Sequence, residues 1–286
     1  MFRLALNALG GIYKQAHIII TLGDEKITPL PNKWEPYFGN TVKLNWVAPE
    51  LYKQHSYFAQ ADARWKYDHD EYNFIVFCDA DTLLIRPFDG LLIKMWQSPT
   101  AMGVIAHYPF PHHENNKQIW FELAKKFTGK PIEFNYRNTL IPYSNESEYA
   151  DSPFYINFGF LLMTSRIIKT MRDTYVTMRP RIGPLIKKPF FAGQIALTLS
   201  LLAHDIPTHA LGLRYNFPND VLADSLHPKE LADIRLLHYL RTDIFDRQTI
   251  FTNENAFMDF LSLKLSGSNK VFQDHIRKLT NGKYPF

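Results

Sequence analysis

Asp79 and Asp81 stand one residue apart where an apolar run over residues 74–78 stops. Two carboxylates that close repel, so one takes up a proton unless a cation keeps both ionised. Mg²⁺ or Mn²⁺ fits that role, because hard ions take oxygen ligands and keep positions for phosphate oxygens and water. Acidic pairs also form solvated turns, and the pair by itself is compatible with both readings. His238 follows the apolar pair Leu236 and Leu237 and would complete an Asp, Asp, His set around one ion. A nitrogen ligand favours Mn²⁺ over Mg²⁺, although a lone histidine is more often a surface or hydrogen-bonded core residue. Arg64, Lys66, Arg86 and Arg241 flank these positions in sequence. They are cations able to neutralise a diphosphate, or solvated helix and loop ends. Asn157 and Gln194 interrupt apolar stretches. When buried, such amides need hydrogen-bond partners, from backbone or from a substrate.

The elements that must position these groups can be read from periodicity. The run over residues 74–78 is short, β-branched and aromatic, and turn residues Pro87, Asp89 and Gly90 follow it. That pattern predicts a buried parallel strand, and open α/β sheets gather ligands at such strand ends. Residues 56–67 predict the preceding helix, with Phe58, Ala61 and Trp65 on one face. The chain starts on a helix that ends near Gly10 and Gly11, then a strand over 17–22, a proline-rich loop over 28–36 and a strand over 42–47. Downstream, helices are expected over 90–96, 116–127, 165–178 and 193–203, with Ser165 as the cap of the third. Strands are expected over 101–106, within 154–164, near 207–217 and over 236–238. Alternating strands and helices make the fold class α/β, a mixed sheet flanked by helices. Residues 108–152 are irregular, and the adjacent His112 and His113 there lack zinc-site spacing, so they read as loop surface near an acceptor.

Bulk composition narrows the functional classes. At 286 residues the chain is long enough for one large α/β domain, and 22 Phe with 15 Tyr give it a globular character. A net charge of +4 with scattered basic residues gives no nucleic-acid footprint. The single Cys78 excludes an intrachain disulfide and a cysteine-rich metal site. No stretch reaches the roughly 18 apolar residues of a membrane span, and residues 1–10 lack a signal-peptide pattern, so a cytoplasmic protein is expected.

Four segments in chain order carry a resemblance: DADTLL with the trailing residues 87–91, FYINFGFLLM, GQIAL with RYNF downstream, and LLHY. Together they resemble the A-type (GT-A fold) glycosyltransferases, and within them the retaining group of glycogenin and the family eight bacterial galactosyltransferases, over residues 1–245. The resemblance implies a GT-A-like, Rossmann-type mixed sheet in one domain over 1–286. Its parts would be a nucleotide-sugar and metal half at 1–110, an acceptor half at 111–245 and a helical tail at 246–286. It further implies that Asp79, Asp81 and His238 bind Mn²⁺ or Mg²⁺, which holds the diphosphate of a nucleotide-sugar donor. Asp79 would contact that donor, joined by Arg64 and Arg241 on their position in the sequence alone, and Asn157 and Gln194 would face the sugar and acceptor as the catalytic pair. A carbohydrate, a lipid-linked sugar or a protein would serve as acceptor.

This chain departs from the family pattern at three points: Gly193 stands where an aspartate usually precedes the glutamine, Arg241 replaces a glycine, and a lysine-proline-tryptophan ending is absent. The family opens on a nucleotide-binding strand, and this chain is expected to start after it. Two other readings stay open. A haloacid-dehalogenase-like phosphatase also places two aspartates after an apolar strand, but its motif carries an extra residue before the threonine, whereas Thr82 follows Asp81 directly. A non-catalytic sugar-nucleotide-binding relative is suggested by Gly193.

Overall fold

Two units, each with its own strands and helices, divide this computed structural model, in which residues 1–110, 116–141, 151–186 and 189–286 are described. His112 and His113 lie outside the described residues. The first unit takes residues 1–67, 80–87 and 217–286; the second takes 68–79 and 88–216. Strands and helices mix in both, as the sequence pattern predicts. Among the described residues, no helix is long and apolar enough to cross a membrane.

In the first unit, helices Phe2–Leu9 and Gly11–Gln15 meet at Gly10, whose φ of 70° is a conformation that glycine adopts without a Cβ penalty. Strand Ile18–Leu22 pairs in parallel with Val42–Trp46. Between them the expected proline-rich loop contains a 3-10 turn, Asn32–Trp34, and a short helix, Glu35–Phe38, with Pro36 in its first turn. Proline is tolerated there because the first N–H groups of a helix have no intrahelical partner. Helix Tyr57–Lys66 buries Trp65 completely, as its periodicity requires.

A three-stranded sheet completes this unit, with Leu236–His238 between Phe217–Pro218 and Thr82–Leu84. Its central strand runs antiparallel to Thr82–Leu84, with His238 opposite Thr82. Helices Thr249–Thr252, Glu254–Ser262 and Gly267–Thr280 follow. The last two are joined to the sheet by aromatic packing: Phe272, fully buried, stacks on Tyr239 at 4.6 Å and on Phe245 at 5.4 Å, and meets Phe260 at 5.6 Å. Such pairs contribute about 0.5–1.5 kcal/mol each beyond their area burial.

In the second unit, four strands lie in the order Phe74–Phe77, Ile156–Thr164, Ala101–Ile105, Thr208–Ala210. Helices Asp89–Gln97, Asn116–Thr128, Ser165–Ile182 and Ala192–Ala203 belong to the same unit. Two expectations are corrected. Phe74–Phe77 is not a buried parallel strand: it lies at the edge of its sheet, antiparallel to Ile156–Thr164, and three of its four residues are half-buried. A short apolar run suits either placement, and the direction is set by its partner strand, which the run itself does not encode. The cap of helix Ser165–Ile182 is Thr164, whose Oγ1 accepts from the Ile167 amide at 3.3 Å, and Ser165 is the first helical residue. At the sheet's centre, a Cβ on Gly103 would stand 2.7 Å from Ile156 Cδ1, so only glycine lets the two strands pack this closely.

His275 lies half-buried on the last helix. Burial and the nearby Lys278 hold its imidazole below the ordinary histidine range, with the Leu84 main chain acting the other way. The unfolded chain therefore takes up this proton first, so the contribution is present above pH ~6.5 and is lost as pH falls through the folded pKa. We expect stability, measured by urea unfolding, to decline between pH 7.5 and pH 5, and the decline to be shallower in His275→Ala. Equal pH slopes in the two proteins would remove His275 from this account.

Candidate metal centre

The ladder between Leu236–His238 and Thr82–Leu84 fixes where His238 lies, and it continues one residue further: the Tyr239 amide donates to the Asp81 carbonyl at 2.9 Å. The Tyr239 hydroxyl donates to the Ala80 carbonyl at 3.3 Å. Residues 80 and 81 are thus held by main chain and side chain of one tyrosine, itself stacked on Phe272. The second acid therefore sits in a tight turn directly preceding a fully buried strand, Thr82–Leu84, and not on a free strand end.

This anchoring brings His238 Nε2 to 3.1 Å from Asp81 Oδ1. The other carboxylate oxygen, Oδ2, accepts a bond from the Arg247 guanidinium. Burial opposes ionisation of Asp81, but the His238 bond and the charges of His238 and Arg247 outweigh it and hold the carboxyl below the usual range. Asp81 is consequently an ionised, acceptor-only group, the form a metal ligand takes. Asp81 and His238 each turn a ligand atom toward the other. Neighbouring ligands on an octahedral ion with bonds of ~2.1 Å lie about 3 Å apart, so the 3.1 Å separation suits one oxygen and one nitrogen ligand of a Mn²⁺- or Mg²⁺-sized ion. Asp79, two residues earlier in the chain, is half-buried and closes the second unit's segment 68–79.

The loop after His238 is fastened by a buried asparagine. Asn219, 2% exposed, donates its backbone N–H to the His238 carbonyl at 3.1 Å. Its Oδ1 accepts from the Arg241 amide at 2.8 Å, and its Nδ2 donates to the Arg241 carbonyl at 3.2 Å and to Asn269 Oδ1 at 3.1 Å. These four bonds from position 219 reach residues 238 to 241 and the last helix.

Arg241 pairs through Nε with Asp220 Oδ2 at 2.8 Å. Arg64 is half-buried on helix Tyr57–Lys66. Arg86 pairs with Asp233 at 3.0 Å. The cation on Asp81 is Arg247, which sequence reasoning missed because no spacing singles it out. Only its flanks hint at it, since Phe245 and Ile250 on either side are both buried anchors.

In the second unit, Asn157 and Gln194 each commit an acceptor to the protein. Asn157 Oδ1 accepts from the Gly159 amide at 2.8 Å and from Asn216 Nδ2 at 3.0 Å. Gln194 Oε1 accepts from the Tyr155 hydroxyl at 2.7 Å, and burial pushes that hydroxyl's pKa well up, so it stays a donor. Neither amide nitrogen has a protein partner among the described residues, and both side chains are half-buried. Each therefore presents N–H donors. A Cβ on Gly193 would stand 3.0 Å from the Tyr175 hydroxyl and 3.2 Å from Phe158 Cε2, so a larger side chain there requires its neighbours to give way.

No protein-family model and no curated protein matches the chain. Among solved structures it is similar to mouse xyloside xylosyltransferase 1 in its apo form, at 13% identity and a TM-score of 0.38 over 70% of this chain and 75% of that one. It is also similar to the apo WbbM bifunctional glycosyltransferase, at 12% identity and a TM-score of 0.44, over 86% of this chain but only 42% of that protein. The galactosyltransferase LgtC, in complex with donor and acceptor sugar analogues, overlaps at 16% identity and a TM-score of 0.37, over 71% of this chain and 68% of its own. At such identities and scores the likeness decides neither fold nor activity, and the chemistry rests on the site's own residues.

Asn219→Ala is expected to cost about 2–3 kcal/mol, because it strands the buried Asn269 Oδ1 and two main-chain groups of Arg241. Chemical denaturation checks it; a loss under about 0.5 kcal/mol would mean that water replaces these bonds freely.

Proposed function

We propose that the chain is a metal-dependent glycosyltransferase, moving a sugar from a nucleotide-sugar donor to an acceptor with retention at the anomeric carbon. The observation that carries the reading is the 3.1 Å approach of Asp81 Oδ1 and His238 Nε2, anchored by strand pairing and joined to the Asp79-Ala80-Asp81 sequence. On this reading Asp79, Asp81 and His238 hold Mn²⁺ or Mg²⁺. When bound, the cation supplies Lewis-acid stabilisation to the leaving diphosphate. The four segments that resemble the A-type transferases supply the rest of the case.

The chain's own residues then divide the work. Asp81, kept ionised, contributes negative charge and a ligand oxygen, and His238 a ligand nitrogen once its Nε2 is free of a proton. Arg241, whose Nε is engaged by Asp220, keeps its terminal nitrogens for phosphate oxygens, and Arg64 adds a second positive charge. Asn157 and Gln194 donate N–H groups to sugar and acceptor hydroxyls. Position 193 lacks a carboxylate, so the acceptor hydroxyl attacks on the face from which the diphosphate leaves. The bond from anomeric carbon to phosphate oxygen breaks as the bond to the acceptor forms, and the hydroxyl proton passes to the departing phosphate.

Gly193 also favours a second reading, a relative that binds sugar nucleotides without turning them over. A panel of nucleotide sugars, tested by calorimetry and by transfer and hydrolysis assays with and without Mn²⁺, separates the two. The transferase reading expects Mn²⁺-dependent binding and turnover, with turnover lowered more than about 100-fold in Asp81→Asn and His238→Ala. Binding without turnover supports the non-catalytic relative, and undiminished Mn²⁺-dependent turnover in Asp81→Asn overturns the metal assignment.

A further inference from the structure

Arg247 has a single hydrogen-bond partner among the described residues, Asp81 Oδ2, its charge also acts on Asp246, and its side chain is 31% exposed. A guanidinium carries five N–H donors in a planar fork, so most of them are left to solvent or to a ligand. The arginine's place is fixed from both sides. Phe245 is buried against Phe260 at 4.8 Å and Phe272 at 5.4 Å, and Ile250 is 3% exposed. Between them the neighbouring carboxylate, Asp246, accepts from the Gln248 amide and the Thr249 hydroxyl, so it is occupied with its own turn. Asp81 is thus the acid to which Arg247 is delivered.

The two oxygens of Asp81 face different cationic groups, His238 on Oδ1 and Arg247 on Oδ2. A divalent ion bound through Oδ1 and His238 Nε2 would therefore leave Arg247 in place, a fixed positive charge next to the ion. Such a charge works in opposite directions on two ligands. It repels a bare cation, and it attracts a cation that arrives with a diphosphate, to whose oxygens the free N–H fork can donate. Resting on the metal-centre reading above, we propose that Arg247 is a specificity-determining residue that makes the site select a metal–diphosphate pair over the free metal ion. The arginine contributes this selectivity through its charge and its donors together. A merely structural ion pair would contribute neither.

The test is calorimetry of wild type, Arg247→Gln, Arg247→Lys and Asp81→Asn with two probes, Mn²⁺ alone and a premixed Mn²⁺–pyrophosphate complex. Circular dichroism and thermal unfolding verify that each variant is folded. Arg247→Gln is expected to bind Mn²⁺ alone roughly fivefold more tightly and Mn²⁺–pyrophosphate roughly tenfold more weakly. Arg247→Lys should lie between, since it keeps the charge and loses the fork. Affinities that stay unchanged in Arg247→Gln, or that both move in the same direction, overturn the proposal while loss of both ligands in Asp81→Asn leaves the metal centre standing. If Asp81→Asn keeps both affinities, the metal-centre reading itself falls, and this inference falls with it.

Discussion

The first unit depends on the stack around Phe272. One fully buried ring touches Tyr239, Phe245 and Phe260. These partners come from the end of the central strand, the loop beyond it and a C-terminal helix, so a single packing site gathers three successive stretches of the chain onto the last helix. The consequence is mechanical as well as energetic. Tyr239 holds the backbone of Ala80 and Asp81, and Phe245 fixes the approach of Arg247, which means the acid and its arginine are set by the same core. Loosening Phe272 would release both ends of the ion pair together.

Upon that scaffold the electrostatics are simple. A half-buried carboxylate loses hydration and would drift toward protonation, yet Asp81 has a hydrogen-bond or ion-pair partner on each oxygen, and its pKa moves down. Partnering outweighs desolvation here because both groups are held by structure rather than by flexible stems meeting in water, where such pairs contribute little. The last helix adds to the same end from behind, through Phe272 on Tyr239 and Asn269 on Asn219. The C-terminal helices therefore belong to the site's support even though none carries a proposed ligand.

Much of this was legible in the sequence, and the reasons for the rest are physical. Helical periodicity located Tyr57–Lys66 and Ala192–Ala203, and short apolar runs located Phe74–Phe77 and Leu236–His238. The juxtaposition of Asp81 and His238, 157 residues apart, followed from two strand-end patterns plus a resemblance, and the register Thr82 opposite His238 realises it. Strand direction was not legible, because Phe74–Phe77 has the same residue pattern whether its neighbour runs up or down. The strand Thr82–Leu84 was hidden by its brevity and by the turn residues just beyond it. Arg247 was invisible for a different cause: its role comes from tertiary delivery by Phe245, while Arg241, nearer in sequence and seemingly better placed, is held by Asp220.

The second unit imposes the strictest chemical constraint. Asn157 and Gln194 have their oxygens bound by Asn216, Gly159 and Tyr155, so what they can offer a ligand is N–H donors and no base. Gly193 packs against Tyr175 and Phe158 closely enough that a larger side chain there requires these neighbours to shift by a few tenths of an ångström. Inserting atoms into such a contact costs about 1–3 kcal/mol. Neutral donors without a nearby carboxylate at 193 can orient a sugar and stabilise developing negative charge, but they can neither form a covalent glycosyl intermediate nor take a proton. Asn157, Gln194 and Gly193 thus offer no base of their own, and in the proposed chemistry a phosphate oxygen of the leaving diphosphate takes the proton. On the proposed reading this favours attack from the leaving-group face, the choice that the close packing of Gly193 supports.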